Sequence, residues 1–212
     1  MRLILAHGWA FDAGFWDGLV PLLSDYDIAC VDSGYFGHAV EWPQPTEGDI
    51  LVGHSLGFMR GMTEVPHWKA WIAINSFARF IGSTDAEQAG CVAPASLRRL
   101  RRDVATHTAQ ALHGFYQNIG ASCVPQHQPD TERLCVGLDM LRGGNLYGNQ
   151  NLMCPGLVIA SRHDPLVPME ISLELASLAR DSVWHADGGH CLPQTHAAFC
   201  TDAIRVFVRG IS

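Results

Sequence analysis

Short runs of apolar residues recur along the chain, and a polar or glycine-rich turn follows each of them. Six runs have the length of strands: Leu3–Ala6, Ile28–Val31, Ile50–Val52, Trp71–Ile74, Leu157–Ala160 and Ser182–His185. Unbroken apolar runs of this length are typical of strands that are buried on both faces, as in a parallel sheet. The pattern therefore predicts a mostly parallel sheet.

Helical patterns separate several of these runs. The predicted helices are Phe15–Leu23, Met169–Ala179 and Pro193–Val208. Strands that alternate with helices predict an α/β fold with right-handed crossovers, in which helices flank the sheet. The chemically reactive residues gather just after the strands, which is where open α/β sheets bind their ligands.

The interval from about Ser83 to Asn151 departs from this alternation because it contains no convincing strand. Apolar residues recur within it at helical spacing: Leu97, Leu100, Val104, Ala111 and Phe115. This spacing predicts an amphipathic helix. We interpret residues 83–151 as a helical cap inserted into a single α/β domain that covers residues 1–212.

The composition fits one domain with a well-buried core. The chain has 212 residues, of which 48% are hydrophobic, and this is enough for one such core. A formal net charge of −7 argues against a nucleic-acid binder, which normally has a basic surface. No apolar run approaches the roughly 20 residues of a membrane span, and His7-Gly8 interrupts the apolar start too early for a signal peptide. We expect a monomer that binds neither nucleic acid nor membrane.

Seven cysteines are scattered along the chain without a CxxC pair. An odd, scattered set is typical of small buried apolar side chains in a reducing compartment. We therefore expect a cytoplasmic protein. Because no pair has the spacing of zinc ligands, we expect no metal site, and we expect no cofactor.

The segment from Asp49 to Gly57 reads DILVGHSLG and contains a recognisable motif. Gly-His-Ser-Leu-Gly fits G-x-S-x-G, a sharp turn between a strand and a helix that presents a serine at its apex. A side chain at Gly53 or Gly57 would crowd the packing of the strand against the helix. The motif predicts Ser55 as a nucleophile; the alternative is a loop that happens to contain a serine.

A serine hydroxyl is a weak nucleophile that needs a base, and the base needs an orienting acid. Asp164 follows the fifth apolar run and His190 follows the sixth, which gives the chain order serine, acid, histidine. We therefore predict a catalytic triad of Ser55, Asp164 and His190. The alternative is a turn aspartate and a loop histidine.

Other ionisable residues fit these roles less well. His163 would point elsewhere on an extended turn, His185 lies within the last predicted strand, and His196 lies in the predicted terminal helix. Asp187 is too close in sequence to His190 to reach over its ring, so we interpret it as a turn residue.

A triad also needs donors for an oxyanion. The backbone N–H of Leu56 is the first candidate, and the second is the N–H of Trp9 in the turn after the first strand. The Trp9 indole could lie along an acyl pocket; the alternative is an ordinary core tryptophan. Trp9 and Phe115 are the candidate substrate-binding residues. We interpret His7 as a brace of the loop.

The motifs HGW, DSGYFGHA, GHSLG, SRHDPLVP and GGH resemble, in order and spacing, those of the α/β-hydrolase superfamily over nearly the whole chain. HGW, GLDMLRGGN and GGHCLPQTHAAFC are more narrowly similar to the pimeloyl-[acyl-carrier protein] methyl ester esterases of biotin synthesis. The resemblance implies an α/β-hydrolase fold with a helical cap insertion. Since the chain starts at the HGW strand, we expect a shortened N-terminus without the hairpin of the fold.

The resemblance also implies a reaction, namely hydrolysis by a serine carboxylesterase of the methyl ester of a pimeloyl chain carried on acyl carrier protein. A general short-chain esterase or a related lyase with the same residues is one alternative. A catalytically silent hydrolase fold that serves as a binding module is another.

Four basic side chains fall within five positions of the chain: Arg98, Arg99, Arg101 and Arg102. On an acidic background this cluster could dock an acidic carrier protein by charge steering. Cap arginines are thought to receive acyl carrier protein in the esterases named above. The alternative is a solvated helix face. Arg133 and Arg142 could extend the cluster.

Overall fold

Six parallel strands form one sheet in the computed structural model, which describes residues 1–81 and 92–211. They are β1 (Arg2–Ala6), β2 (Asp27–Val31), β3 (Asp49–His54), β4 (Ala70–Ile74), β5 (Gly156–Ser161) and β6 (Asp181–His185). Their order across the sheet is β2-β1-β3-β4-β5-β6, and every neighbouring pair is parallel. All six predicted strands are confirmed, and their ends differ by at most two residues.

The central strands are apolar because helices cover both faces of the sheet. Every residue of β3, β4 and β5 is buried. Successive side chains of a strand point to opposite faces; Leu51 therefore belongs to one apolar core, and Ile50 and Val52 belong to the other. This two-sided burial is the reason why the strands read as continuous apolar runs.

The helices are α1 (Leu56–Glu64), α2 (Pro94–Ile119), α3 (Thr131–Gly143), α4 (Met169–Ala176), α5 (Leu192–Thr195) and α6 (Ala197–Gly210). Short 3₁₀ turns cover Ala13–Trp16, Val20–Leu23 and Gln150–Met153. No helix within residues 1–81 and 92–211 is both long and apolar enough to cross a membrane.

All three predicted helices differ from the structure in their bounds. The predicted helix Met169–Ala179 is confirmed as α4 but ends at Ala176, and the other two differ more. The predicted helix Phe15–Leu23 is instead two 3₁₀ turns, because Pro21 lacks an N–H and its ring blocks a continuous helix through this segment. The predicted terminal helix Pro193–Val208 is divided into α5 and α6 at His196, whose φ of −137° and ψ of 48° are not helical.

Helices α2 and α3, which we call the insert helices, follow β4 and precede β5. Part of the predicted cap, residues 83–91, lies outside the described residues. From residue 92 to 151 no strand of the sheet occurs, and the predicted amphipathic helix is confirmed as α2, with Leu97 and Val104 buried. One residue inside α2, His107, has non-helical angles (φ −144°, ψ 55°) that kink the helix.

Candidate active site

Ser55 lies on a strained turn between β3 and α1. Its φ of 51° and ψ of −124° fall in a region that residues other than glycine rarely adopt. Its N–H donates to the carbonyl of Ile74 at 3.1 Å, and its own carbonyl accepts from the hydroxyl of Ser76 at 2.7 Å. These two bonds to the end of β4 hold the turn in this conformation.

Two glycines allow the strand and the helix on either side of Ser55 to approach closely. A Cβ on Gly53 would lie 2.3 Å from Cα of Phe58, and one on Gly57 would lie 2.2 Å from the carbonyl oxygen of Ala6. Both neighbours are backbone atoms in a close-packed interior, so neither has room to move aside. The expectation that a side chain at either glycine would crowd this packing is confirmed.

His190 and Asp164 form a buried hydrogen-bonded pair. The distance from His190 Nδ1 to Asp164 Oδ2 is 2.7 Å, and the two side chains are 2% and 1% exposed. The other carboxylate oxygen accepts the N–H groups of Leu166 and Val167 at 2.8 and 2.9 Å. Because the carboxylate only accepts, the Nδ1 position carries a proton, which leaves Nε2 as the ring atom that can accept one.

Ser55 and His190 line the same cavity, whose volume is about 30 Å³. The remaining lining residues are apolar: Trp9, Phe80, Leu97, Leu100, Phe115, Leu138, Leu141 and Leu166. Within residues 1–81 and 92–211, no hydrogen bond joins the Ser55 hydroxyl to the His190 ring. Contacts between a nucleophile and its base are often loose before substrate binds. The geometry thus brings an oriented imidazole and a serine to one small, apolar cavity.

The two predicted oxyanion donors lie at the start of α1 and in the turn after β1. Leu56 is the first residue of α1, so its N–H has no partner within the helix. In the turn, Ala10 has a φ of 61°, and its carbonyl accepts from the Tyr116 hydroxyl of α2 at 2.5 Å. The Trp9 indole N–H donates to the carbonyl of Leu134 in α3 at 2.8 Å. Both insert helices therefore hold the turn that contains Trp9.

The predicted pocket residues, Trp9 and Phe115, are in contact with each other. Their ring centroids are 4.8 Å apart at an interplanar angle of 80°, and both line the cavity. Because the indole N–H is occupied by Leu134, the Trp9 ring offers only apolar surface to the cavity. The His7 ring joins its own turn to the segment after β2, since its Nδ1 donates to the Gly8 carbonyl at 2.9 Å and its Nε2 accepts the N–H of Ser33 at 3.2 Å. These bonds agree with its interpretation as a brace.

Comparison with solved structures shows that the fold is a known one. The chain superposes on an esterase from Exiguobacterium antarcticum with a TM-score of 0.78 at 14% identity, covering 99% of this chain and 92% of that chain. An enol-lactonase from Burkholderia xenovorans LB400 gives a TM-score of 0.78 at 17% identity, covering 98% and 91%. The protein has an α/β-hydrolase fold.

Curated relatives are similar over nearly the full length of this chain. The pimeloyl-[acyl-carrier protein] methyl ester esterase of Stenotrophomonas maltophilia strain K279a is 27% identical, covering 99% of this chain and 93% of the relative. The enzyme of the same name from Methylococcus capsulatus is 23% identical, covering 98% and 94%. No family model matches the chain. The similarities support a carboxylic ester hydrolase.

Two buried polar side chains that sequence reasoning missed contact the His190 loop of the α/β-hydrolase fold. The Asn75 side-chain amide donates to the carbonyl oxygens of Gly189 and His190, each at 2.8 Å. Nε2 of His54 lies 3.0 Å from the His190 carbonyl, and burial lowers the pKa of His54 well below its usual range. His54 is therefore neutral and donates through Nε2. Asn75 directly follows a predicted strand, and this position was the available signal.

The competing residues lie away from the site. His163 and Asp187 are exposed, whereas His185 and His196 contact each other with ring centroids 4.0 Å apart. The prediction that His196 lies inside the terminal helix was wrong, since it occupies the break between α5 and α6. None of the four is among the described residues that line the cavity of Ser55 and His190.

The predicted docking cluster lies on the exposed side of α2: Arg98, Arg99, Arg101 and Arg102. Arg101 binds the carboxylate of Asp139 in α3 at 2.9 Å. Arg99 and Arg102 lie 3.6 and 3.4 Å from the carboxylate of Asp103, while their side chains remain 78% and 70% exposed. Exposed ion pairs of this kind are weak, so these guanidinium groups can exchange their partner for another anion.

Arg133 and Arg142 lie at opposite ends of α3. Arg142 is 3.8 Å from Asp139, the carboxylate that Arg101 also binds. Arg133 is 3.4 Å from Asp130 and also donates to the carbonyl of Ser33 at 3.3 Å. Arg142 therefore adjoins the cluster on α2 through a shared partner, and Arg133 belongs to a different surface region.

Proposed function

We propose that this protein is a serine carboxylesterase with Ser55 as nucleophile, His190 as general base and Asp164 as orienting acid. The observation that carries the proposal is the buried pair of His190 and Asp164, at 2.7 Å, beside the same apolar cavity as a serine on a strained strand-to-helix turn. Similarity to the curated esterases supports the methyl ester of a pimeloyl chain on acyl carrier protein as the substrate, in biotin biosynthesis.

Acylation begins when Ser55 Oγ attacks the ester carbonyl carbon and His190 Nε2 takes the hydroxyl proton. The N–H groups of Leu56 and Trp9 donate to the developing oxyanion. Asp164 stays ionised and stabilises the imidazolium. When the carbon–oxygen bond to the methoxy group breaks, the imidazolium returns its proton to that oxygen, and methanol leaves an acyl group on Ser55.

Deacylation repeats the sequence with water. Nε2 of His190 takes a proton from the water as its oxygen attacks the acyl carbon, and the same donors bind the oxyanion. The bond to Ser55 Oγ then breaks, and the imidazolium returns the proton to the serine. One water is consumed for each ester, and the products are methanol and a carboxylic acid, which ionises at neutral pH.

The walls of the cavity suit an aliphatic chain. Its lining is apolar apart from Ser55 and His190, and its volume of about 30 Å³ has room for roughly one or two water molecules. An acyl chain therefore enters only when the side chains that line the cavity move apart. Leu100, Phe115 and Leu166 also line an open groove of about 830 Å³ along α2, so the groove adjoins the cavity and offers the substrate a path.

The arginine cluster supports an acidic carrier as the bearer of the ester. Arg99 belongs to the cluster and also lines the groove beside the cavity. A carrier that binds the cluster would be held next to the mouth of the groove. Charge steering of this kind raises the rate of encounter more than it stabilises the complex.

A fluorophosphonate probe tests the nucleophile. We expect the probe to label the wild-type protein and to leave Ser55→Ala unlabelled. Ser122→Ala, a change of an exposed serine, is the control and should label as fast as wild type. Absence of wild-type labelling, or equal labelling of Ser55→Ala, would refute a serine enzyme and favour a silent binding module.

Charge reversal tests the carrier. The pair Arg98→Glu and Arg102→Glu should raise KM for the carrier-bound ester and leave KM for a p-nitrophenyl ester unchanged, while Arg101 is kept because it bridges the insert helices. The control, Arg180→Glu with Arg209→Glu, makes the same charge change at exposed arginines elsewhere. An equal change in KM for the two substrates would exclude a docking role for the cluster.

Complementation tests the pathway. Expression of the protein should restore growth of a biotin auxotroph that lacks its methyl ester esterase, and Ser55→Ala should not. Failure of the wild type to complement, together with Ser55-dependent hydrolysis of p-nitrophenyl esters, would favour a general short-chain esterase over the proposed substrate.

A further inference from the structure

A single buried side chain bridges the segments that bear Asp164 and His190. Asn75 is 1% exposed and follows directly after β4. Its Nδ2 donates to the carbonyl oxygens of Gly189 and His190 at 2.8 Å each. Its Oδ1 accepts the N–H of Ser161 at 2.8 Å, and Ser161 is the last residue of β5, just before the turn that presents Asp164.

These three bonds fix the orientation of the amide. Two carbonyl oxygens need a donor, and one backbone N–H needs an acceptor, so only one placement of Nδ2 and Oδ1 satisfies all three groups. The backbone of Asn75 has a φ of 44°, which asparagine tolerates better than most residues. Its own N–H donates to the carbonyl of Ile159 at 2.9 Å, so the side chain projects from a backbone that β5 anchors.

The next residue reaches the third segment of the site. The Ser76 side chain is buried, and its hydroxyl donates to the carbonyl of Ser55 at 2.7 Å. Ser55 in turn donates its N–H to the carbonyl of Ile74 at 3.1 Å. The end of β4 thus bonds to the peptide groups on both sides of Ser55 and holds the strained turn.

We propose that Asn75 and Ser76 are positioning residues that lock the segments of Ser55, Asp164 and His190 into one arrangement. The inference rests on the proposed serine esterase function. His54 supports the same loop, since the His190 carbonyl also accepts from its Nε2 at 3.0 Å. With Asn75 removed, that carbonyl keeps one donor, whereas the Gly189 carbonyl and the Ser161 N–H each lose the partner that Asn75 supplies.

Asn75→Gly is the sharpest test, because glycine keeps the positive φ without strain and only the amide is lost. We expect kcat for p-nitrophenyl butyrate to fall roughly 100-fold, as misplacement of catalytic groups by about 1 Å does, with KM little changed. Neither Asn75 nor Ser76 is among the residues that line the cavity of Ser55 and His190, so a loss confined to kcat reports on the alignment of the triad.

Asn151→Gly is the matched control. Asn151 is also buried, and its amide likewise donates to two backbone carbonyl oxygens, those of Met62 at 3.2 Å and Val65 at 2.9 Å. These carbonyls lie at the far end of α1 from Ser55. Asn151→Gly should lower the melting temperature as Asn75→Gly does, and it should leave kcat unchanged.

A spectroscopic readout separates this inference from the proposed function. The Nδ1 proton of His190, bonded to Asp164 at 2.7 Å, should give a strongly deshielded proton NMR signal in wild type and Asn151→Gly but not in Asn75→Gly. If the wild type shows no Ser55-dependent turnover, the proposed esterase function is refuted. The presence or loss of the NMR signal in Asn75→Gly would still show whether Asn75 positions His190 against Asp164. Wild-type kcat and an intact signal in Asn75→Gly would overturn the inference. Should that variant not fold, wild-type kcat in Ser76→Ala would overturn it as well.

Discussion

His54 should make the folded protein sensitive to mild acid. Its side chain is completely buried, and its Nδ1 has no hydrogen-bond partner among the described residues. Burial and, to a smaller extent, the neighbouring His190 lower the pKa of His54 well below its usual range. The native state therefore keeps this ring neutral at pH values where an unfolded chain protonates it.

The sign and size of the effect follow from proton linkage. An unfolded chain takes up the His54 proton near pH 6.5, so below that pH it binds one more proton than the native state at this site. Above pH 6.5 the stability is unaffected, and it falls as the pH drops from 6.5 toward the lower native pKa. The limiting slope is about 1.4 kcal/mol per pH unit. The accumulated loss at pH 5 is therefore at most about 2 kcal/mol, which is a sizeable part of a typical total of about 5–15 kcal/mol.

Urea unfolding of wild type and His54→Gln between pH 5 and 8 measures this contribution. Glutamine does not titrate, and its Nε2 can donate to the His190 carbonyl in place of the imidazole. Between pH 8 and pH 5 the variant should lose less unfolding free energy than wild type, by up to about 2 kcal/mol.

The same series with His67→Gln controls for the loss of a histidine as such, because His67 is exposed. Parallel curves for wild type and His54→Gln, with no difference in slope below pH 6.5, would refute the assignment of a buried neutral His54.

Two glycines and one leucine give further predictions. Gly57→Ala would place a Cβ 2.2 Å from the Ala6 carbonyl oxygen, and we expect the variant to lose its cooperative thermal transition in calorimetry. A normal melting curve would contradict the close approach of the two segments. At Gly114 of α2 a Cβ meets open space, so Gly114→Ala should raise the free energy of unfolding by roughly 0.5–1 kcal/mol in urea titration. Leu100 is one of three residues that line both groove and cavity, so Leu100→Ala should widen the opening between them. The ratio of kcat/KM for p-nitrophenyl octanoate to that for the butyrate should then rise, and an unchanged ratio would show that acyl chains lie elsewhere.

The sheet was predictable because burial on both faces produces a recognisable pattern within each strand. Each strand of a two-sided parallel sheet is apolar along its length, so its position can be read without knowledge of its neighbours. The turn at Ser55 was predictable for a similar reason, since Gly53 and Gly57 record the contact of a strand with its own following helix. The candidate acid and base could be proposed from chain order alone, and their pairing at 2.7 Å is a result of the structure.

Interactions between distant segments produced no comparable pattern. Asn75 contacts the His190 loop more than one hundred residues away. Apart from its position after a predicted strand, nothing in the local pattern distinguishes it from a turn asparagine. The division of the terminal helix at His196 and the kink of α2 at His107 were also missed, because helical periodicity persists across both positions. The two 3₁₀ turns in place of a helix at Phe15–Leu23 were foreseeable from Pro21.

The hydrogen bonds between the insert helices and the turn after β1 limit the replacement of the insert by that of another protein. The Tyr116 hydroxyl and the Leu134 carbonyl belong to the insert, and they hold Ala10 and the Trp9 indole in the sheet domain. An insert grafted from another hydrolase to change the substrate range would remove both bonds unless it supplied a hydroxyl and a helical carbonyl at the same places. Engineering of substrate preference in this protein therefore calls for point substitutions within α2 and α3 and not for replacement of the insert as a module.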